Sequence, residues 1–201
     1  MRFTTLIATL TILATAPASA QFGNPAGMDP GTRESEPGLP VPGQTNVPDR
    51  LFAALAAQGG MAEVELGKLA QQKSRNDAVT AFAKRMVEDH GKSNAELEEL
   101  AKRAGLLLPT EPAPDQLEVK QSLSSRNGAA FDVEYTRAQV IDHQKTEQLL
   151  LWVIASGENA DLQRFASGTL PDVVHHLQLA QTLLGQLTGA AAPATNYSNP
   201  Q

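Results

Sequence analysis

NDAVTAFAKRMVEDHGKSNAELEELAKRAG, residues 76–105, carries the marks of one long amphipathic helix. Val79, Phe82, Met86, Leu97 and Leu100 recur at about 3.6-residue spacing, while the acidic and basic residues between them fall on the other faces. Asn76 or Asp77 can cap its start, and Gly105 is a natural left-handed stop. A helix apolar on one side only must bury that side against other helices. His90 falls inside the apolar stripe.

The flanking sequence supplies the partners. No proline occurs from Asp49 to Leu108, and Asp49 can cap a first helix running to about Lys73. The Pro109–Pro114 cluster predicts a crossing segment with a short helix around Gln116–Leu123. After a break at Asn127-Gly128, a third long helix is expected from about Ala129 to Ser156, stopped by Gly157. Asn159 caps a fourth through about Leu187, in which Pro171 predicts a kink or short break. Long helices joined pairwise by short turns lie antiparallel. The expectation is an all-α, ferritin-like antiparallel four-helix bundle over residues 49–187, two helical hairpins with a Pro-rich connection. A plain up-and-down bundle stays open. Only 4% of residues are aromatic, so the core rests on Ala, Leu and Val.

Residues 1–20, MRFTTLIATLTILATAPASA, have the form of a cleaved secretory signal: an early Arg, an apolar run and Ala18-Ser19-Ala20 before the cut. Residues 21–48 hold six of the 13 prolines and read as a disordered leader, and 188–201 as a disordered tail. Cleavage removes Arg2 and leaves 15 positive against 22 negative side chains. That balance argues against nucleic acid as a partner. No later stretch reaches spanning length, so the expected location is the periplasm or the exterior, without a transmembrane span after cleavage. The absence of Cys excludes disulfides, thiolate metal sites and a Cys nucleophile.

The polar residues that point inward carry the chemistry. In helix 3 the stripe Phe131, Tyr135, Ala138, Leu149 and Val153 has Asp142 at its centre and His143 on its flank. Helix 4 places His176 within Leu162, Ala166, Val173, Leu177, Ala180, Leu184 and Leu187, with His175 outward. Helix 1 packs Leu51, Leu55, Ala62, Leu66 and Leu69, with Glu65 and Gln58 along one edge and Glu63 along the other. His90, Asp142, His176 and Glu65 fall near mid-helix, where antiparallel helices meet at one level. This predicts a metal site with His90 and His176 as nitrogen ligands and Asp142 and Glu65 as oxygen ligands, oriented by Asp89, His143 and Asp172. A mixed N/O set suits iron, manganese or zinc. The alternative is a structural hydrogen-bonded cluster that fixes helix register. Dinuclear carboxylate bundles repeat Glu-x-x-His on two helices. Asp172-Val173-Val174-His175 is the nearest approach here, and its His faces outward, so a mononuclear site is the easier one to build.

The residues Ala57-Gln58-Gly59-Gly60-Met61-Ala62-Glu63-Val64-Glu65-Leu66-Gly67, Phe82-Ala83-Lys84-Arg85-Met86-Val87-Glu88-Asp89-His90, Asp142-His143, Thr169-Leu170-Pro171 and His176-Leu177 together resemble an exported bacterial family, domain of unknown function 4142. The resemblance covers Phe52–Leu187 and implies a ferritin-like helical bundle; it implies no activity. No phosphate loop, nucleophile elbow or His-Glu-x-x-His is present. Two functions follow as expectations: a core transition-metal site with redox or storage chemistry, or a non-enzymatic envelope interaction or stress-protection module. The second draws on the Pro-rich leader and on Val140, Leu151 and Trp152, which lie off the main stripe of helix 3 and face either the crossing segment or a partner, whether an envelope protein or a second copy of the chain.

Overall fold

The computed structural model describes residues 44–189; the expected signal segment, most of the leader and nearly all of the tail lie outside the described residues. Within the unit Gly38–Gln201 there are five helices among the described residues: α1 (Val47–Lys73), α2 (Asp77–Ala104), α3 (Pro114–Ser124), α4 (Gly128–Ser156) and α5 (Ala160–Thr188). Asn76 and Asn159 cap α2 and α5 as their side chains predict, each Oδ1 accepting two backbone N–H groups. Gly105 closes α2 at φ 65°.

Two expectations are corrected. Helix α1 starts earlier than Asp49: Asn46 is its cap, Pro48 sits in its first turn where a missing N–H costs nothing, and Asp49 completes a capping box with Asn46. Helix α5 runs unbroken from Ala160 to Thr188 with Pro171 inside it, so of the expected kink or short break the break is absent.

The connectivity follows from what meets at the ends. The Nδ2 of Asn46 donates to the Ser156 carbonyl, and Asp49 Oδ2 accepts from the backbone N–H groups of Glu158 and Asn159. The start of α1 therefore lies against the α4–α5 turn, and α1 and α4 are antiparallel. At the opposite end Lys73 Nζ donates to the Ser124 carbonyl. The chain leaves α2 at the first end and enters α4 at the second, so residues 105–127 travel the length of the bundle. Short α3 lies within this crossing, against α1 and α4. Each long helix packs on two others, in the cycle α1, α2, α5, α4, and the crossing joins the diagonal pair. This is the crossover bundle rather than the up-and-down one.

The core has two apolar layers. Leu66, Phe82, Met86, Phe131, Tyr135 and Leu183 fill one; Phe52, Leu97, Leu150, Leu162, Phe165 and Val173 fill the other. The face of α1 differs from the expected one in its first turns: Leu51 and Leu55 are each 48% exposed and Phe52, Ala53 and Ala57 are buried instead, whereas Ala62 and Leu66 are buried as expected, together with Gly60, Glu63, Gly67 and Ala70. Small residues point inward because α2 comes so close. A Cβ on Gly67 would lie 2.9 Å from the Ala83 carbonyl oxygen and 2.7 Å from Val87 Cγ2, and one on Gly60 would meet Asn94 Oδ1 at 1.8 Å.

Candidate metal centre

Three imidazoles converge between the two layers, one each from α2, α4 and α5. The ring centroids of His90, His143 and His176 stand 5.4, 5.5 and 5.7 Å apart, a nearly equilateral triangle. Each lies near the middle of its helix, so antiparallel packing brings them to one level. His143 and His176 are buried, and His90 is half-buried.

Hydrogen bonding sets which nitrogen of each ring is free. His143 Nδ1 lies 2.9 Å from the Gln139 carbonyl oxygen. A carbonyl only accepts, so Nδ1 carries the proton and the neutral ring turns the bare Nε2 inward. His176 Nε2 stands 3.1 Å from Asp89 Oδ2. The carboxylate accepts from Nε2–H, which leaves the Nδ1 lone pair buried without a hydrogen-bond partner. His90 Nε2 faces His143 Nε2 at 3.4 Å. Burial disfavours the imidazolium form of all three: His90 is pushed down to about 3, helped by its two neighbours, and His143 and His176 are also lowered. His143 Nε2 is the bare nitrogen facing His90, and one ring nitrogen of each of the three lies within 4.8 Å of the others; neutral rings are the protonation state a cation requires.

Carboxyls adjoin the triangle. Glu63 of α1 is 1% exposed, and Asp142 of α4 lies beside it. One donor atom from each of Glu63, Asp142 and His143 lies within 4.8 Å of the others, and the same holds for the three histidines. Burial pushes Glu63 up to about 7. Burial, and then the charge of Glu63, raises Asp142 well above the usual carboxylate range. Neither oxygen of Glu63 makes a hydrogen bond of normal geometry; the Gln139 amide and the Tyr135 hydroxyl, also buried, lack partners as well. Unsatisfied polar atoms are rare in a folded core, and their accumulation on one side of three neutral imidazoles calls for a water or an ion.

The structure brings together His90, His176, Asp142, Asp89 and His143 from the sequence-based set. It keeps Glu65 apart: its carboxylate pairs with Lys120 of α3 at 2.8 Å, and Glu63 takes the inward place. Asp172 is exposed and acts on His176 only through its charge. His143 stands in the triangle itself rather than on its flank. The missed residue, Glu63, had a signal: Gly60 and Gly67 bracket it at −3 and +4, on the face where α2 comes closest.

The bundle is similar to solved helical proteins. One is a DUF305 fragment from Deinococcus radiodurans (TM-score 0.64, 14% identity, covering 73% of this chain and 99% of that one). Another is a DUF305 protein from Streptomyces coelicolor, described as secreted (TM-score 0.61, 15% identity, 75% and 98%). At such identity the likeness concerns the fold. No curated protein matches the sequence. Among the described residues no helix is long and apolar enough to cross a membrane. The match over residues 35–183 places the chain in the family described as Domain of unknown function (DUF4142).

Proposed function

We propose that this protein is an exported helical bundle that binds one divalent transition-metal ion in its core. The ligands are the inward nitrogens of His90, His143 and His176, and Glu63 and Asp142 supply the compensating negative charge. The observation that carries this reading is the convergence of three neutral imidazoles, two with their outward N–H groups held by Gln139 and Asp89. The spacing fits: two nitrogens on one tetrahedral ion at about 2.0–2.1 Å stand about 3.3–3.4 Å apart, and His90 and His143 are 3.4 Å apart. Three imidazoles favour zinc or iron over manganese, which prefers oxygen donors. Neutral histidines bring no charge, so a bound dication is balanced when Glu63 and Asp142 give up their protons. Export rests on the signal-like residues 1–20 and places the protein in the periplasm or outside the cell.

The test is elemental analysis of the protein from Gln21 onward, purified without a metal-binding tag. Close to one ion per chain is expected, lost in His143→Ala and in His176→Ala with helicity retained. Folded protein that holds no metal and takes up none from a panel of zinc, iron, copper and nickel would overturn the reading. The envelope-interaction module would then take its place, supported by exposed Ile141, Leu151 and Trp152.

A further inference from the structure

A small cavity of about 50 Å³ opens beside the histidine triangle, lined by residues of α1, α2, α4 and α5. Its lining includes His90 and Glu63 of the site, so it touches both the nitrogen and the carboxyl side of the centre. Leu97, Phe165 and Val173 give it an apolar wall; Asn94 and Thr146 give it polar groups. Asn94 is held there by the glycine opposite, since its Oδ1 fills the space that any side chain at position 60 would need. A single water needs about 10–15 Å³ measured this way. The space therefore takes roughly three or four non-hydrogen atoms and rejects anything the size of a metabolite. Both carboxylate oxygens of Glu63 are buried at this same place and make no hydrogen bond of normal geometry, although the Asp142 and Gln139 side chains adjoin them.

From this we infer that the cavity is a binding pocket for a small exogenous ligand at the metal centre, of the class of azide, cyanide, dioxygen or hydrogen peroxide. The inference rests on the metal-site reading. Three protein nitrogens leave a four-coordinate ion one open position, the feature that separates reactive sites from closed structural ones. A purely structural site has no use for a cavity at its edge, and tight packing normally removes such space. The lining selects by size: a three-atom ligand fits, and an imidazole ring does not.

The experiment uses the full mature chain loaded with cobalt(II), whose visible absorption reports its ligands, titrated with azide and separately with imidazole. Saturable azide binding is expected, with imidazole at least 10-fold weaker. Thr169 also lines the cavity; Thr169→Phe, which places a ring in that wall, is expected to load cobalt as the wild type does and to weaken azide at least 10-fold, whereas the nearly isosteric Thr169→Val should load cobalt and keep azide binding within about 3-fold of the wild type. Cobalt loading with no azide response, or imidazole binding as well as azide, overturns the pocket while leaving the metal site standing. Failure to load cobalt overturns both. If Thr169→Phe does not fold, the comparison of ligand sizes on the wild type decides alone.

Discussion

At the scale of single residues, Glu63 and the histidines pull the stability of the metal-free protein in opposite directions. Glu63 titrates near 7 in the folded chain against 4.5 in the open one, so the folded state holds the extra proton. Its contribution is present below 4.5 and is lost as pH rises through about 7. His90 titrates near 3 against 6.5, so its contribution is present above 6.5 and is lost as pH falls toward 3. The two windows overlap between 4.5 and 6.5 and oppose each other there. Glu63→Gln removes Glu63 from its side of this balance and leaves Asp142, also raised by burial, on it. The metal-free variant is expected to gain about 2–3 kcal/mol at pH 8, where a buried carboxylate no longer has to be desolvated. It should begin to lose stability on acidification from pH 6.5, earlier than the wild type. Urea unfolding across pH 4–8 in the presence of chelator measures both, and identical pH profiles for the two proteins would contradict the assignment. Asp89→Asn addresses His176 in the same spirit. An amide oxygen still accepts from Nε2–H but without charge, so metal affinity should fall about 10-fold with the fold intact, as read by competition with a coloured chelator.

Among the helices, the junction of α1 with the α4–α5 turn rests on one buried carboxylate. Asp49 Oδ2 accepts three backbone N–H groups, from Asn46 at 2.9 Å, Asn159 at 3.0 Å and Glu158 at 3.1 Å. It therefore closes the capping box of α1 and ties that helix to the start of α5. Asp49→Ala leaves those donors buried and is expected to cost roughly 2–4 kcal/mol. Gly157 is the matching position on the other side. Its φ of −70° suits any residue, yet a Cβ there would lie 2.6 Å from Asp49 Oδ1 and 2.7 Å from the Val153 carbonyl oxygen. Gly157→Ala should destabilise through crowding, by about 1–3 kcal/mol, and somewhat less in an Asp49→Ala background, where the contact with the Val153 carbonyl remains. A double-mutant cycle by denaturant unfolding checks this; additive effects would mean that the two residues act separately.

For the molecule as a whole, the proposed metal centre would couple four helices that the chain joins in two hairpins. An ion bound by α2, α4 and α5 and balanced by α1 stabilises only the assembled bundle, so loading should raise the melting temperature. At free metal 100-fold above Kd the gain is about 2.7 kcal/mol, or roughly 5–10 °C for a domain of this size. Chelator should reverse it, and His143→Ala should show neither change; calorimetry with and without chelator decides. The helices and most of their ends, though not the start of α1, could be read from the chain, because asparagine caps, the left-handed Gly105 and the 3.6-residue stripes act within a few residues of it. The level of the site could be read from it too, since long antiparallel helices must meet near their middles. The inward faces of α2 and α5 were legible in those stripes; the face that α1 turns inward and the way the two hairpins connect were set by packing in three dimensions. The start of α1, LFAALAA, is apolar on every side, so large leucines drew the expected stripe to Leu51 and Leu55 and put Glu65 along its edge. The close approach of α2 instead requires small residues at the contact, which turns Gly60, Glu63 and Gly67 inward and leaves Glu65 to Lys120. His143 enters the triangle for a related reason: it continues the line of Phe131, Tyr135 and Gln139 at four-residue steps. Whether a polar residue such as Gln139 belongs to a core is settled by its neighbours in space, not by its own hydropathy.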